Sequence, residues 1–491
     1  MLIKDILTID LSEDIKNVID LEDISEVAIQ SEIESYIITD GLAKEYENFV
    51  SVYTSNIIET GVWLSGFYGS GKSYFGKLLG YMLSNRIING TPARDRILQR
   101  FTGIDDEALL KNTIAKLDST NSRVVFMDIA KQDTSKGFAY ALFRNFLKSL
   151  DLPENEHGFL LFSLLCDALY SNVNDFVHDK LGVFWNSLKN NRTVYIGKIK
   201  EIYLNLGNSD SDYNNILTTI RREIDEFSAS KLREELSNYF NAVKDEKVVF
   251  LFDEASEAIN QKKFSLLDLE GMSESLSSMG GKVWTIAIAQ EKLDDVINNS
   301  NINKAQLTKV TDRFKTKIHL EATEVDVIIR SRLLKKNDKA IAKLKEHYKS
   351  NSGKIADHSG LTGAGKTETE DSFITYYPFY QIHFGLLQNF LFGRQGYAST
   401  KVAARGMIIT TYDILKHELQ NDNVLNVATG WQIAKEAQPQ PPVRLVNRFS
   451  NAENILKNEN IDIPGRHLLE TIHFLTEAEI APTSLSNIVK S

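Results

Sequence analysis

Between residues 61 and 83 the chain runs from a short apolar stretch, Val62-Trp63-Leu64, into a glycine-rich octet, Gly66-Phe67-Tyr68-Gly69-Ser70-Gly71-Lys72-Ser73. It continues as Tyr74-Phe75-Gly76-Lys77-Leu78-Leu79-Gly80-Tyr81-Met82-Leu83, with the apolar spacing of a packed helix. Strand, tight turn and helix in that order constrain the fold more than any other stretch, because they form the first unit of an α/β sheet. The octet has two glycines with four residues between them, then a lysine and a hydroxyl residue. Gly66, Gly69 and Gly71 let the backbone take positive φ and approach a polyanion without Cβ clashes. The N–H groups then line a concave nest at a helix start, where the dipole favours negative charge. In such a turn Phe67, Tyr68 and Ser70 contribute backbone donors, Lys72 reaches the β- and γ-phosphates, and the Ser73 hydroxyl holds Mg²⁺.

The same pattern recurs at Gly360-Leu361-Thr362-Gly363-Ala364-Gly365-Lys366-Thr367, in a different setting. The preceding residues, 351–359, are polar and do not read as a strand, and Glu368-Thr369-Glu370-Asp371 follows, with carboxylates that repel phosphate. The second octet is expected to be a loop without a nucleotide.

A second strand signal completes the chemistry. Val248-Val249-Phe250-Leu251-Phe252 is an unbroken apolar run that ends in Asp253-Glu254. A strand buried on both faces reads this way, and its carboxyl end is where α/β sheets present ligands. Paired with the first octet, Asp253 is expected to hold Mg²⁺ through water or Ser73, and Glu254 to polarise the attacking water. A small-molecule kinase must keep water from the γ-phosphate, whereas a hydrolase needs a base beside the metal, so the adjacent acids favour ATP hydrolysis. Arg123 to Ala130 and Val283 to Ala289 read as two more buried strands, and residues 310–320 as a turn and a short strand. Within that turn Arg313 is a candidate arginine finger, which meets the charge on a transferring phosphoryl group; an arginine before Phe314 equally suits a surface ion pair.

Length sets a prior of about three domains for 491 residues. Residues 1–60 read as an N-terminal helical extension, 61–322 as an ATPase core with a helical insertion at about 134–246, and 323–437 as a helical lid. A proline-rich linker, 438–444, precedes residues 445–491, which resemble the opening of a winged helix and suggest that the chain is a fragment. Between Arg330 and Lys366 ten Lys/Arg face Asp338, Glu346 and Asp357, a pattern that suits DNA phosphates or a solvated helix face. The aromatic run Phe373 to Tyr380 suits base stacking or the core of the lid. A net charge of −10 weighs against a protein that coats nucleic acid by bulk electrostatics. One cysteine, Cys166, excludes a disulfide framework and a Cys-based metal site. An acid at Asp5 and the lack of a long apolar run point to a cytoplasmic protein with no membrane contact.

The octet Gly66–Ser73, the Asp253-Glu254 strand, the polar strand end at Gln290 and Arg313 together resemble the AAA+ division of P-loop ATPases. The wider chain is similar to the BrxC/PglY ATPases of bacteriophage exclusion (BREX) systems. The matching stretches are Ile3-Lys4-Asp5-Ile6, Glu34-Ser35-Tyr36-Ile37-Ile38-Thr39, Gly61 to Ser73, and Tyr376-Tyr377-Pro378-Phe379 with Leu386-Leu387-Gln388. They cover most of the chain but an N-terminal portion of what that family spans. The resemblance implies ATP binding and hydrolysis, a homo-oligomer, other BREX proteins as partners, DNA association and defence against phage. It also makes Gln290 a candidate γ-phosphate sensor, the alternative being a capping residue. Two readings follow: an ATP-driven assembly that remodels a DNA-bound complex, or a nucleotide-locked DNA-binding scaffold with negligible turnover.

Overall fold

The computed structural model describes residues 1–12, 20–55, 57–66, 71–298, 304–320, 325–364, 368–392 and 400–491. Five strands, β1 (Gly61–Gly66), β2 (Asn121–Asp128), β3 (Glu246–Asp253), β4 (Val283–Ala289) and β5 (Thr316–Leu320), form one parallel sheet in the order β2-β3-β4-β1-β5. The chain leaves β1 for the far edge at β2, returns strand by strand to β4, and then crosses β1 to reach β5. The winding therefore reverses at β1, and the crevice beyond the carboxyl ends there is the place where open α/β sheets take ligands. Strands β1 and β4 are buried at every residue. This is why their sequences are apolar without alternation.

Helices cover both faces. On one face lies α1 (Lys72–Ser84), with helices Glu26–Ser35 and Asp40–Tyr53 around it. A Cβ at Gly76 would lie 2.4 Å from Ile288, and one at Gly80 2.4 Å from the Phe126 ring, so these glycines let α1 sit close on the sheet. The opposite face, with Val248, Phe250 and Phe252 of β3, is covered by the helices that separate β2 from β3. They span Phe138–Ser149, Glu156–Asp167, Val173–Leu181, Arg192–Asn205, Asp210–Asp225 and Ala229–Ala242. Helices α2 (Leu266–Ser277) and α3 (Lys304–Arg313) precede β4 and β5 respectively.

The chain divides into two compact units where its length suggests about three. One comprises Ile19–Gly66 and Gly71–Leu320. The insertion does not separate from it, because its apolar faces share one core with the sheet. The other unit comprises Met1–Val18 and Glu321–Ser491 and is helical. Residues 1–60 therefore do not form one extension: Ile3, Ile6, Leu7 and Leu11 are buried in the second unit, while Ile29, Ile33, Tyr46 and Phe49 belong to the sheet's core. The stretch Gln438–Pro442 is a short connection between helices Gly430–Ala437 and Val443–Asn458 within that second unit, not a boundary. Helix Gly465–Ala478 packs on both of them, and its Phe474 and Leu475 share a core with Phe390, so residues 445–491 are not a separate segment.

Candidate active site

Gly71 caps the N-terminus of α1 with φ 82°, a left-handed conformation that side chains disfavour. The first helical residues are Lys72 and Ser73. Phe67, Tyr68, Gly69 and Ser70 lie outside the described residues, and Gly66 closes β1. Across the sheet tip, at the carboxyl end of β3, the Asp253 carboxylate accepts a hydrogen bond from the Ser73 hydroxyl. Asp253 is 7% exposed and Lys72 also 7%. Burial pushes the Asp253 carboxyl up to about 6, and the neighbouring Glu254 adds to the rise. The Ser73 hydroxyl, the Glu254 N–H at 2.8 Å and the Lys72 charge oppose it. Lys72, Ser73 and Asp253 are thus brought together from two elements, with Ser73 and Asp253 180 positions apart in the chain.

Glu254 sits at φ 58°, the left-handed region for a residue with a side chain. Such backbone conformations cost about 1–3 kcal/mol and gather at functional sites. Its Oε2 accepts from Gln290 Nε2 at 3.1 Å. The Gln290 N–H in turn donates to Ser256 Oγ at 3.2 Å, so the ends of β3 and β4 are laced together behind Glu254. Gln290 faces the base candidate and caps no helix: the next helix begins at Leu293.

Arg313 is not part of this cluster. It ends α3, whose last carbonyl would lie 2.4 Å from a Cβ on Gly61, the first residue of β1. The octet leaves the other end of that strand, about 16 Å away at about 3.3 Å per residue. The Arg313 guanidinium pairs with Glu274 and lies 3.9 Å from Glu270, both on α2. Arg313 therefore does not meet a phosphate held by its own octet.

Mg²⁺ takes oxygen ligands and is held by one or two carboxylates together with substrate phosphates rather than by an all-protein cage. Among the described residues no three His, Cys, Asp or Glu side chains could hold a metal by themselves. Ser73 and Asp253 supply two hard oxygens beside a lysine, a donor set that fits Mg²⁺ arriving with a polyphosphate.

Asp128, which ends β2, is a residue that sequence reasoning did not single out. It is the register partner of Asp253, and its buried Oδ1 has no hydrogen-bond partner. The signal was present: an apolar run ending in an acid, the same form that marked Asp253.

The remaining sequence candidates fall in the helical unit. The second octet follows helix Asp338–Ser359 instead of a strand, and the Thr362 N–H is bound by Asn487 Oδ1 at 2.8 Å. Its Lys366 and Thr367 lie outside the described residues. Phe373, Tyr376, Tyr377, Phe379 and Tyr380 are all buried in that unit's core, so they pack and do not stack on bases. Of the basic stretch, Lys335, Lys339, Lys343, Lys345, Lys349 and Lys354 are exposed, whereas Lys336 is buried with its Nζ 2.6 Å from the Thr375 carbonyl. No protein-family model matches the chain.

Proposed function

We propose that this protein is a Mg²⁺-dependent ATPase of AAA+ type, similar to the BrxC/PglY proteins of BREX systems. In this reading ATP turnover drives assembly or remodelling of a DNA-associated complex in anti-phage defence. The observation that carries the reading is the hydrogen bond from Ser73 to Asp253 beside Lys72, at the point where the winding of the sheet reverses. Mg²⁺ arriving with the nucleotide would be held by Ser73 and Asp253 and would supply charge neutralisation at the phosphates. Lys72 binds those phosphates, and Ser73 and Asp253 orient the cation. Glu254 accepts the proton of the attacking water, with its carboxylate aimed by Gln290. Because Arg313 lies at the opposite end of β1, its charge can serve only a nucleotide held by a neighbouring copy, which ties turnover to a homo-oligomer. The exposed lysines of residues 335–354 suit the phosphates of DNA, and other BREX proteins are the implied partners.

The scaffold reading has its own support. Glu254 is held by Gln290 and Arg313 by Glu274, so both catalytic candidates are tied down within the chain. Multiple-turnover ATPase assays across protein concentrations, with and without duplex DNA, separate the two. The ATPase reading expects a rate per subunit that rises with concentration, loss of ATP binding in Lys72→Ala, and retained binding with at least a hundredfold slower turnover in Glu254→Gln. A slow, concentration-independent rate with tight nucleotide retention favours the scaffold. Wild-type protein that ignores ATP in calorimetry with Mg²⁺ present refutes both.

A further inference from the structure

We propose that Asp128 is a positioning residue of the metal site, its Oδ1 accepting a hydrogen bond from a water bound to the Mg²⁺ that Ser73 and Asp253 hold. This rests on the nucleotide reading above and extends it to a residue on a different strand.

Strand register places the side chain. Asp128 and Asp253 are partners in the parallel β2–β3 pair, so their side chains leave the sheet on the same face. Phe126 and Val124, two and four residues earlier on β2, meet α1 at Gly80. With a period of two, Asp128 projects toward the α1 side, where Asp253 meets Ser73.

The carboxylate is fixed in place and incompletely used. Lys131 Nζ takes Oδ2 at 2.7 Å. The Asp128 N–H donates to Glu22 Oε1 at 3.2 Å, and Glu22 is itself held by Gln132 Nε2 at 2.7 Å. The next residue, Ile129, donates its N–H to the Asp253 carbonyl at 3.2 Å, which locks the tip of β2 to the tip of β3. Oδ1 alone is buried with no partner, although the side chain as a whole is 15% exposed. A buried carboxylate oxygen without a donor is uncommon and points to a water or an ion as its partner.

The hydration chemistry of Mg²⁺ favours a water-mediated contact over direct ligation. Adjacent strands lie about 4.8 Å apart, so a side chain one strand over is within reach of a water on an ion held by Asp253. Mg²⁺ gives up its waters reluctantly, so a second carboxylate one strand over meets the hydrated face of the ion. The lack of a three-ligand protein cluster among the described residues agrees with a role outside the ligand set. Such outer partners change metal affinity by about 10–100-fold.

The test is a Mg²⁺ titration of fluorescent ATP-analogue binding to the full chain, comparing wild type with Asp128→Ala, Asp128→Asn and Asp253→Ala. The expected result for Asp128→Ala is a Mg²⁺ half-saturation raised about tenfold, with affinity for the Mg²⁺-free nucleotide unchanged. Asp128→Asn keeps the shape and one acceptor oxygen and is expected to fall between wild type and alanine, which preserves the test if the alanine variant misfolds. Asp253→Ala is expected to lose the Mg²⁺ dependence. A Mg²⁺ half-saturation equal to wild type in both Asp128 variants overturns the inference while leaving the nucleotide reading intact. Equal weakening with and without Mg²⁺ also overturns it, since that marks a structural role. A wild-type protein that binds no ATP analogue under either condition removes the nucleotide reading, and this inference with it.

Discussion

Replacing Asp253 with asparagine is expected to stabilise the nucleotide-free protein at alkaline pH and to abolish the Mg²⁺-dependent part of its response to ATP. The carboxyl is raised from an ordinary 3.8 to about 6 by burial, with Glu254 adding to it. The folded state therefore binds the proton more tightly than the unfolded chain. Stability linked to this group is fully present below 3.8 and lost as pH rises through 6. The full difference is about 3 kcal/mol at 1.36 kcal/mol per pH unit, and it is absent from an asparagine variant. Weaker hydrogen bonds from the Ser73 hydroxyl and the Glu254 N–H return about 1 kcal/mol of that. The net gain of Asp253→Asn at pH 8 is then about 1–2 kcal/mol. At pH 5 the wild-type carboxyl is largely protonated when folded and recovers about 1.4 kcal/mol, so the two proteins converge. Urea unfolding followed by tryptophan fluorescence reads this out, because Trp63 and Trp284 are buried in the sheet. Adding MgATP at a hundredfold excess over Kd is expected to stabilise wild type by about 2.7 kcal/mol and to leave the variant without the Mg²⁺-dependent part. A variant that is less stable than wild type by the same amount at pH 8 and pH 5 refutes the reasoning, because the burial of Asp253 then carries no charge penalty.

Two further outcomes follow from the same geometry. Arg313→Ala is expected to leave nucleotide affinity unchanged while lowering turnover by about 10³-fold at high protein concentration, measured as the slope of ATPase rate against subunit concentration. Loss of binding at low concentration instead would place Arg313 at its own chain's nucleotide. Gly61→Ala puts a Cβ 2.4 Å from the Arg313 carbonyl and 2.7 Å from Ser273 Oγ, where backbone cannot give way. A loss of about 1–3 kcal/mol in unfolding free energy, read as a lowered urea midpoint, is expected; an unchanged midpoint would mean that α3 does not press on the start of β1 as described.

The buried strands were legible because of how a parallel sheet treats its sequence. Covered on both faces, β1, β3 and β4 have little room for polar residues before the carboxyl end, so Val248 to Phe252 is an unbroken apolar run and Val283 to Ala289 is interrupted only by the buried Thr285. The edge strand Thr316–Leu320 alternates instead and was harder to bound. The glycine and lysine of the octet were equally legible, since a left-handed Gly71 at a helix start is a local backbone demand.

Local pattern is silent on which charges meet. Whether Arg313 reaches phosphate or Glu274 depends on which end of β1 α3 lands at, and that is set by the crossover from β4 to β5. Asp128 has the same sequence signature as Asp253 and gains a place beside it only because β2 and β3 come into register, which pairs Asp128 with a residue 125 positions further along the chain. The aromatic run 373–380 offered stacking faces on paper, but burial among neighbouring helices leaves them none. Chemistry carried by consecutive residues, the lysine and hydroxyl after the glycines and the paired acids at Asp253-Glu254, was determined by the sequence alone, because backbone connectivity keeps those groups together in any fold. The partner of each group was decided by tertiary structure, because a charge or an orphan oxygen responds to what lies within a few ångströms in space and has no record of it along the chain.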